Sequence, residues 1–250
     1  MKFEKLIKVD TKIKPYWEVA PDFLEPSGLK FSECDFSEFL EDRGLKNRLL
    51  ETMVLNLPDG AYISGGAITS IIQKHPIIDI DMFFLTEKSF KETLRLFIVE
   101  AERNKLEEAE RWVFDKYSIV TRDMEKFCQN SKDYRYIGLK HENLNRPMVQ
   151  LLKLYWYDSP EQIIDSFDIT VAQFIVGNDG IMKFNPMSFY DIANKKLVLH
   201  RLQWAGSTLR RIIKYSKKGY YACPGSLINI AEAINKKEKL ENENEYMYVD

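Results

Sequence analysis

The sequence predicts an α+β fold, in which a mixed sheet flanked by helices is followed by a small helical C-terminal region. Apolar runs of strand length alternate with helical patterns as far as about residue 185. Residues 60–85 contain a strand, a glycine pair, a helical stretch and a second strand. Beyond this part, apolar residues recur mainly at helical spacing. We therefore expect a main domain with an N-terminal arm over 1–185, and a helical region with a charged tail over 186–250.

Composition excludes several classes of protein. A chain of 250 residues with 45% hydrophobic residues can bury a sizeable core. The formal net charge of −2 gives no global attraction to nucleic acid, so such a contact would need a local basic patch. No apolar stretch approaches the roughly 20 residues that span a membrane, so we expect no membrane partner. Cys34, Cys128 and Cys223 are widely spaced, which favours a reduced, cytoplasmic protein. The sequence leaves the oligomeric state open.

The N-terminal part predicts an arm followed by a helix. Residues 1–34 are mixed in character and rich in proline and aromatic residues, as expected of an irregular arm packed on the main domain. A helix is predicted over about 35–56, with Ser32 or Asp35 as its N-cap. Gly44 is placed to break this helix in two.

A strand, two glycines and a short helix follow the turn signal Pro58-Asp59-Gly60. Ala61–Ser64 has the pattern of a strand, and residues 67–73 have helical spacing. Gly65 and Gly66 lie between them. Backbone N–H groups at such a junction form an anion cradle, and the absence of Cβ lets a phosphate approach closely. Ser64 would either donate a hydrogen bond to that phosphate or stabilise the turn.

Asp79 and Asp81 lie near the start of the next predicted strand, residues 77–85. Successive strand side chains point to opposite faces, so the two carboxylates share one face with Cα atoms about 6–7 Å apart. Two like charges beside apolar residues are unfavourable unless a cation or several donors satisfy them. Mg²⁺ or Mn²⁺ is the simplest neutraliser, because hard cations prefer oxygen ligands. An incidental Asp-x-Asp at a solvated strand end is the alternative.

Together, these residues resemble the signature of the DNA polymerase beta-like nucleotidyltransferase superfamily. The resemblance covers residues 60–85 and consists of Gly65-Gly66, a spacer, and Asp79-Ile80-Asp81-Met82. It implies a palm-like sheet and an enzyme that moves a nucleoside monophosphate from a triphosphate such as ATP to a hydroxyl. It also implies two bound Mg²⁺ or Mn²⁺ ions and a third carboxylate on a later strand. The acceptor stays open, with an RNA end favoured.

Three residues are candidates for that third carboxylate: Asp115, Asp165 and Asp168. Asp168 is preferred, because it begins an apolar run predicted as a strand over 168–176, where a charge needs a partner. Its alternative role is a cap or turn residue after the helix predicted over 160–167.

With this choice, Asp79, Asp81 and Asp168 are the expected catalytic and metal-binding residues. The resemblance implies a metal pair about 3.5–4 Å apart that supports in-line displacement, with Asp168 able to accept the proton of the attacking hydroxyl. Asp115 is the reserve choice, since residues 112–120 are also strand-like.

The remaining elements alternate up to residue 185 and are helical beyond it. Residues 88–106 predict an amphipathic helix. Further strands are predicted at 112–120, 134–139, 148–157, 168–176 and 181–184, the last two joined as a hairpin through Asn178-Asp179-Gly180. Later helices are predicted at 187–197, 199–206, 207–218 and 225–240, with Gly219 as a stop and 236–250 as a charged tail.

The helix predicted over 207–218 carries the densest basic stripe of the chain. Leu209, Ile212, Ile213 and Ser216 share one predicted face, and Arg210, Arg211, Lys214, Lys217 and Lys218 share the other. We expect Arg211 and Lys214 to bind the nucleotide, or an RNA acceptor, through phosphate; a solvated face is the alternative. The stripe also resembles a basic helix that follows the catalytic palm in virus-type nucleotidyltransferase-like proteins.

Three rival functions remain open. The first is a catalytically inactive relative that binds nucleotide or RNA. The second is a toxin–antitoxin-type module that modifies or binds a protein. The third is a metal-dependent phosphohydrolase, for which nucleotide hydrolysis would occur without labelling of any acceptor.

Overall fold

The computed structural model describes residues 26–120, 136–153 and 156–237. A mixed sheet of eight strands lies at the centre of this described part. The strands are β1 (Ser32–Asp35), β2 (Ala61–Ser64), β3 (Asp79–Phe84), β4 (Tyr117–Val120), β5 (Tyr136–His141), β6 (Met148–Leu152), β7 (Phe174–Gly177) and β8 (Ile181–Phe184). Their order across the sheet is β1-β8-β7-β2-β3-β6-β5-β4. The strands β3 and β6 pair in parallel, and the other neighbours pair antiparallel.

Helices flank the sheet and dominate the C-terminal region, which confirms the predicted α+β class. The helices are α1 (Phe36–Asp42), α2 (Arg48–Leu55), α3 (Gly66–Ile72), α4 (Glu87–Ile98), α5 (Glu100–Arg103), α6 (Glu108–Phe114), α7 (Pro160–Asp165), α8 (Ser188–Ala193), α9 (Ala205–Ser216) and α10 (Pro224–Lys237). A 3₁₀ turn covers Thr170–Ala172, and β9 (Lys196–Leu197) pairs in parallel with β10 (Tyr221–Ala222). The domain boundary near residue 185 stays a prediction.

The two faces of the sheet are covered unequally. On β3, Ile80, Met82 and Phe84 are fully buried in the larger apolar cluster. Phe83 belongs instead to a smaller cluster on the opposite face. Because strand side chains alternate, Asp79 and Asp81 lie on the face of Phe83. The smaller cluster therefore leaves part of one sheet face to polar residues.

Local signals place several boundaries where the sequence predicts them. The Asp35 carboxylate accepts the Glu38 amide at 2.8 Å and caps α1. Gly44 adopts φ +61° between α1 and α2, which splits the helix predicted over 35–56. In the predicted turn before β2, the Ala61 amide donates to the Pro58 carbonyl, and Gly60 adopts φ +78°. Gly219 adopts φ +84° just after α9.

Three predicted elements are wrong in extent. Residues 112–120 are a strand only from Tyr117, because α6 continues to Phe114 and is capped at its start by Glu107 and Glu110. Residues 168–176 are a strand only from Phe174; before it, the Thr170 amide donates to the Val198 carbonyl rather than to a sheet neighbour.

The third concerns 199–206, where a helix starts only at Ala205. The His200 and Arg201 amides both donate to the Asp168 carbonyl. These two amides therefore bind a distant loop residue instead of forming helical hydrogen bonds. Shorter errors affect two other elements. The helix predicted over 88–106 is interrupted at Val99, whose backbone is extended, and β3 starts two residues later than predicted.

Some expectations fall on residues 1–25, 121–135, 154–155 and 238–250, which lie outside the described residues. They include most of the N-terminal arm, the end of the strand predicted over 148–157 and most of the charged tail. Within the described ranges, no helix combines the length and the apolar character needed to cross a membrane.

Candidate active site

Gly65 brings the end of β2 against the carboxylate of Asp81. Ser64 and Asp81 are paired residues of β2 and β3, and Gly65 follows with φ +78° and ψ −138°. A Cβ on Gly65 would lie 3.1 Å from the Phe167 ring and 3.8 Å from Asp81 Oδ2. Only glycine fits this backbone and this gap without strain. Gly66 differs, because a Cβ there would meet nothing within 4 Å.

Ser64 supports the turn. It is fully buried, and its hydroxyl donates to the Phe174 carbonyl at 2.5 Å. The Gly65 amide donates to the same carbonyl at 3.2 Å. A hydroxyl has one proton to donate, so the turn-stabilising alternative accounts for Ser64 in this structure, and its predicted phosphate contact stays untested.

The carboxylate pair of β3 is poorly compensated. Burial and the neighbouring Asp79 carboxylate raise the pKa of Asp81 to about 7, against the lowering effect of Arg211 and Lys214. A carboxyl group with such a pKa lacks enough donors or positive charge to hold its ionised form. The site therefore favours an added cation.

Asp168, the preferred third carboxylate, has partners of its own within the protein. It is buried, and its Oδ2 accepts from Arg211 Nη1 at 2.6 Å and from Thr208 Oγ1 at 2.8 Å. Among the residues that the structure describes, no group of three His, Cys, Asp or Glu side chains could hold a metal ion. Arg211 and Thr208 thus already partner Asp168, and the convergence of Asp79, Asp81 and Asp168 on shared metal ions stays a prediction.

The two other candidates for the third carboxylate, Asp165 and Asp115, also have hydrogen-bond or ion-pair partners within the protein. Asp165 accepts hydrogen bonds from the Ser27 amide and from Arg201, and its Oδ1 lies 2.8 Å from His200 Nε2. Asp115 is the C-cap of α6 and pairs with Arg103 at 3.1 Å, with half of its side chain exposed. Both acids have a structural role.

The helix α9 turns part of its basic stripe towards the carboxylate pair. Arg211 and Lys214 act electrostatically on Asp81. Burial and Lys214 lower the pKa of Lys218, whereas Asp79 opposes this shift. The sequence therefore identified a basic helix face that the fold places beside the acids.

The stripe is narrower than predicted. Arg210 and Lys217 are exposed, whereas Arg211, Lys214 and Lys218 are partly buried. The predicted apolar face is also corrected. Ile213 and Ser216 are exposed, and the buried residues of α9 are Ala205, Ser207, Thr208, Ile212 and Tyr215. The prediction divided the helix into one apolar and one basic face. It therefore did not include the hydrogen bond that Thr208 donates to Asp168.

Gln150 of β6, which was not singled out from the sequence, lies beside Asp81 in the sheet. It is the paired residue of Asp81 across the parallel β3–β6 ladder, and it is 6% exposed. The large core contains its neighbours Val149 and Leu151, so Gln150 points to the other face, with Asp81. A polar residue inside the run Met-Val-Gln-Leu-Leu was the available signal.

The donor set fits one divalent cation better than the three-carboxylate pair of cations that the resemblance implies. Asp79 and Asp81 offer hard anionic oxygens, and burial, followed by the charge of Asp79, raises the pKa of Asp81. Gly65 places no side chain beside the Asp81 carboxylate, since a Cβ there would lie 3.8 Å from Oδ2. These features suit a cation that carries an anionic ligand.

Solved structures with a similar fold are CCA-adding enzymes. A complex with ATP matches with TM-score 0.56 and 13% identity over 86% of this chain and 49% of the other. A complex with CTP matches with TM-score 0.54 and 12% identity, over 86% and 48%. The Thermotoga maritima enzyme complexed with tRNA matches with TM-score 0.53 and 11% identity, over 86% and 48%. At these identities the likeness shows a nucleotidyltransferase-like fold alone.

The chain spans about half the length of these enzymes. No curated protein matches the sequence. A family model described as "Gabija anti-defense 2 family protein" matches residues 31–204, which is more than half of the chain. The chain therefore belongs to the Gabija anti-defense 2 family.

Proposed function

We propose that this protein is a divalent-metal-dependent nucleotidyltransferase that moves a nucleoside monophosphate from a nucleoside triphosphate to a hydroxyl acceptor. One observation carries the proposal: Asp79 and Asp81 form an acidic pair beside Gly65, and Arg211 and Lys214 of α9 act electrostatically on Asp81. Opposite charges that meet across such a site suit a ligand that brings both a cation and phosphates. The nucleotidyltransferase-like fold supports it.

Each group has a distinct role in this proposal. Asp79 and Asp81 hold Mg²⁺ or Mn²⁺, which when bound offsets negative charge on the triphosphate. Lys214 and Lys218 attract the phosphates, since both lie close enough to the acidic pair to interact with it electrostatically. Gly66 lets the backbone approach a phosphate, because no side chain covers it.

Asp168 has a positioning role rather than the metal-binding one expected from the sequence. Its carboxylate holds Arg211 at 2.6 Å, and Arg211 acts on Asp81. The pair thereby fixes a guanidinium close to the acidic site, where it can contact phosphate bidentately.

An RNA end is the acceptor that we favour. Solved proteins of similar fold include complexes with ATP, with CTP and with tRNA, and α9 supplies basic side chains near the site. The family description, Gabija anti-defense, suggests that the reaction counters that defence. A protein acceptor remains the alternative for a module of the toxin–antitoxin type.

Labelling decides between these acceptors. The protein is incubated with each α-labelled nucleoside triphosphate, Mg²⁺ or Mn²⁺, and a mixed pool of cellular RNA, protein and metabolites. We expect label in the RNA fraction, and none with the Asp81→Asn variant. Label in the protein fraction would replace RNA by a protein acceptor, and free hydrolysis without labelling would indicate a phosphohydrolase.

A second candidate function is a catalytically inactive nucleotide-binding protein. The observation that favours it is the absence, within the described ranges, of a third carboxylate beside Asp79 and Asp81. This candidate predicts binding of a metal-bound triphosphate without label in any fraction, so the same experiment, with a binding measurement added, separates the two functions.

A further inference from the structure

We propose that Gln150 completes the cation site by offering its amide oxygen as a neutral third ligand beside Asp79 and Asp81. The inference rests on the proposed function, because it assumes that the two carboxylates hold a divalent cation. It goes beyond that function by assigning the ligand set and its charge. Two anionic ligands and one neutral ligand would then take the place of the three carboxylates that the resemblance implies.

Strand register brings Gln150 to the carboxylate pair. Gln150 and Asp81 are paired residues of two parallel strands, and neighbouring strands lie about 4.8 Å apart. Both side chains project from the face opposite to the large core. On its other side, Gln150 is paired with Gly138 of β5, which has no side chain. The polar neighbour of Gln150 along the ladder is therefore the metal-binding candidate itself.

The amide of Gln150 is available for a ligand. Gln150 is 6% exposed. Of the described residues, none forms a hydrogen bond with its side chain. Amide oxygens of glutamine are ordinary ligands of hard cations. A cation held by Asp81 would give this oxygen a partner.

The other route to a third anionic ligand is closed. Asp168 is held by Arg211 at 2.6 Å and by Thr208 at 2.8 Å. Moving it to the cation would leave the guanidinium of Arg211 without that carboxylate. The resulting site carries one negative charge fewer than a three-carboxylate site, so we expect weak binding of the free cation and tighter binding when a triphosphate adds its own oxygens.

The test is titration of the full-length protein with Mn²⁺, followed by electron paramagnetic resonance, with and without a non-hydrolysable ATP analogue. Gln150→Met keeps a side chain of similar length but removes the oxygen, and Gln150→Glu replaces it with an anionic oxygen. Because ligand charge tunes the affinity for hard cations, we expect Gln150→Glu to bind Mn²⁺ about tenfold more tightly and Gln150→Met about tenfold more weakly. Asn235→Asp, an exposed change on α10, controls for added negative charge alone.

Thermal melts in EDTA and in Mn²⁺ accompany the titrations. We expect a larger stabilisation by Mn²⁺ for Gln150→Glu than for the wild type, because the added charge is unbalanced without the cation. If Gln150→Glu does not fold, the affinity of Gln150→Met decides alone. Unchanged Mn²⁺ affinity in Gln150→Met overturns the assignment of Gln150.

Asp81→Asn separates this inference from the proposed function. If the wild type binds Mn²⁺ and Asp81→Asn does not, the acidic site stands, and the Gln150 variants alone judge the third ligand. If the wild type binds no Mn²⁺ even with the ATP analogue, the proposed metal site itself is wrong, and the role of Gln150 is overturned with it.

Discussion

Asp165 and Asp81 show two ways of placing an acid in the same fold. Asp165 accepts from Ser27 and Arg201 and contacts His200, so the protein supplies its partners. Asp81 has Asp79 as an acidic neighbour, and Arg211 and Lys214 act on it electrostatically. The first arrangement holds segments of the chain together. The second leaves a carboxylate whose negative charge a bound cation can balance. For this reason we propose Asp81, and not Asp165, as a cation ligand.

The pKa values of the two acids express this difference. Burial raises the pKa of Asp165, but hydrogen bonds from Ser27, His200 and Arg201 together lower it below its ordinary value. For Asp81, burial and Asp79 together raise the pKa to about 7. A perturbed pKa alone therefore does not identify a functional site. The direction of the shift, together with the missing partners, is the useful observation.

The largest expected effect is on catalysis by Asp81→Asn. Loss of one anionic ligand removes several kcal/mol of charge stabilisation from the reaction, so we expect transfer to fall by more than about 10³-fold. The free energy of unfolding without metal should stay the same or rise, because like-charge repulsion with Asp79 is relieved. Labelling assays and thermal melts measure the two quantities. A strongly destabilised Asp81→Asn variant would show that Asp81 has a structural role like that of Asp165, and would contradict this prediction.

The next effect is on stability, through Asp165→Asn. Removing the charge from this buried network leaves Arg201 without its full partner, and we expect a loss of about 3 kcal/mol in the free energy of unfolding. Urea denaturation measures it. Glu41→Gln is the matched control, since Glu41 pairs with Lys46 at an exposed site and its loss should cost at most about 1 kcal/mol. Equal losses in both variants would show that Asp165 is not a structural acid.

The two acids should also respond oppositely to pH in the metal-free protein. Asp81 binds its proton more tightly in the folded state, so its contribution to stability falls as pH rises from about 4 to about 7. Asp165 binds its proton less tightly when folded, so its contribution is present above pH 4 and is lost as pH falls. Denaturation at several pH values should show that Asp81→Asn removes the decline between pH 4 and 7. A decline of the same size in that variant would contradict the assignment.

The smallest expected effect concerns the lysine side chains of α9, whose positive charges act on the acidic pair Asp79 and Asp81. Replacing Lys214 and Lys218 by Ala removes charges beside the acidic pair, and we expect triphosphate affinity to fall about tenfold. The matched pair Arg210→Ala and Lys217→Ala removes exposed charges of the same helix and should leave that affinity unchanged. Calorimetry with an ATP analogue measures both.

RNA binding by the same variants tests the acceptor. If Lys214 and Lys218 contact RNA phosphates, their loss should lower the slope of log affinity against log salt by about 0.7 for each contact. An unchanged slope would assign the two lysines to the triphosphate alone.

Much of the fold follows from local sequence. The capping side chain of Asp35, the turn glycines and the alternation along β3 each act within a few residues, and each was found where predicted. The glycine pair and the Asp-x-Asp strand were likewise visible, because their spacing along the chain carries the pattern.

The other features of the fold and site depend on contacts between distant parts of the chain, which the spacing of residues along the sequence does not reveal. Asp168 looked like a third acid of the site, but its partner Arg211 lies 43 residues further along the chain. Gln150 reaches the site through the register of β3 with β6, and register is a property of the folded sheet. Phe114 belongs to a helix because of its buried packing and the cap at Glu107, whereas its neighbours alone favoured a strand.

Asp168 also has a mechanical consequence for the site. Its carbonyl accepts the backbone amides of His200 and Arg201, while its carboxylate holds Thr208 and Arg211 of α9. One residue, between α7 and β7, thus contacts both the loop before α9 and the helix itself. This part of the site is preorganised: Asp168 holds Arg211 before any ligand arrives, so the guanidinium has less conformational entropy to lose on binding.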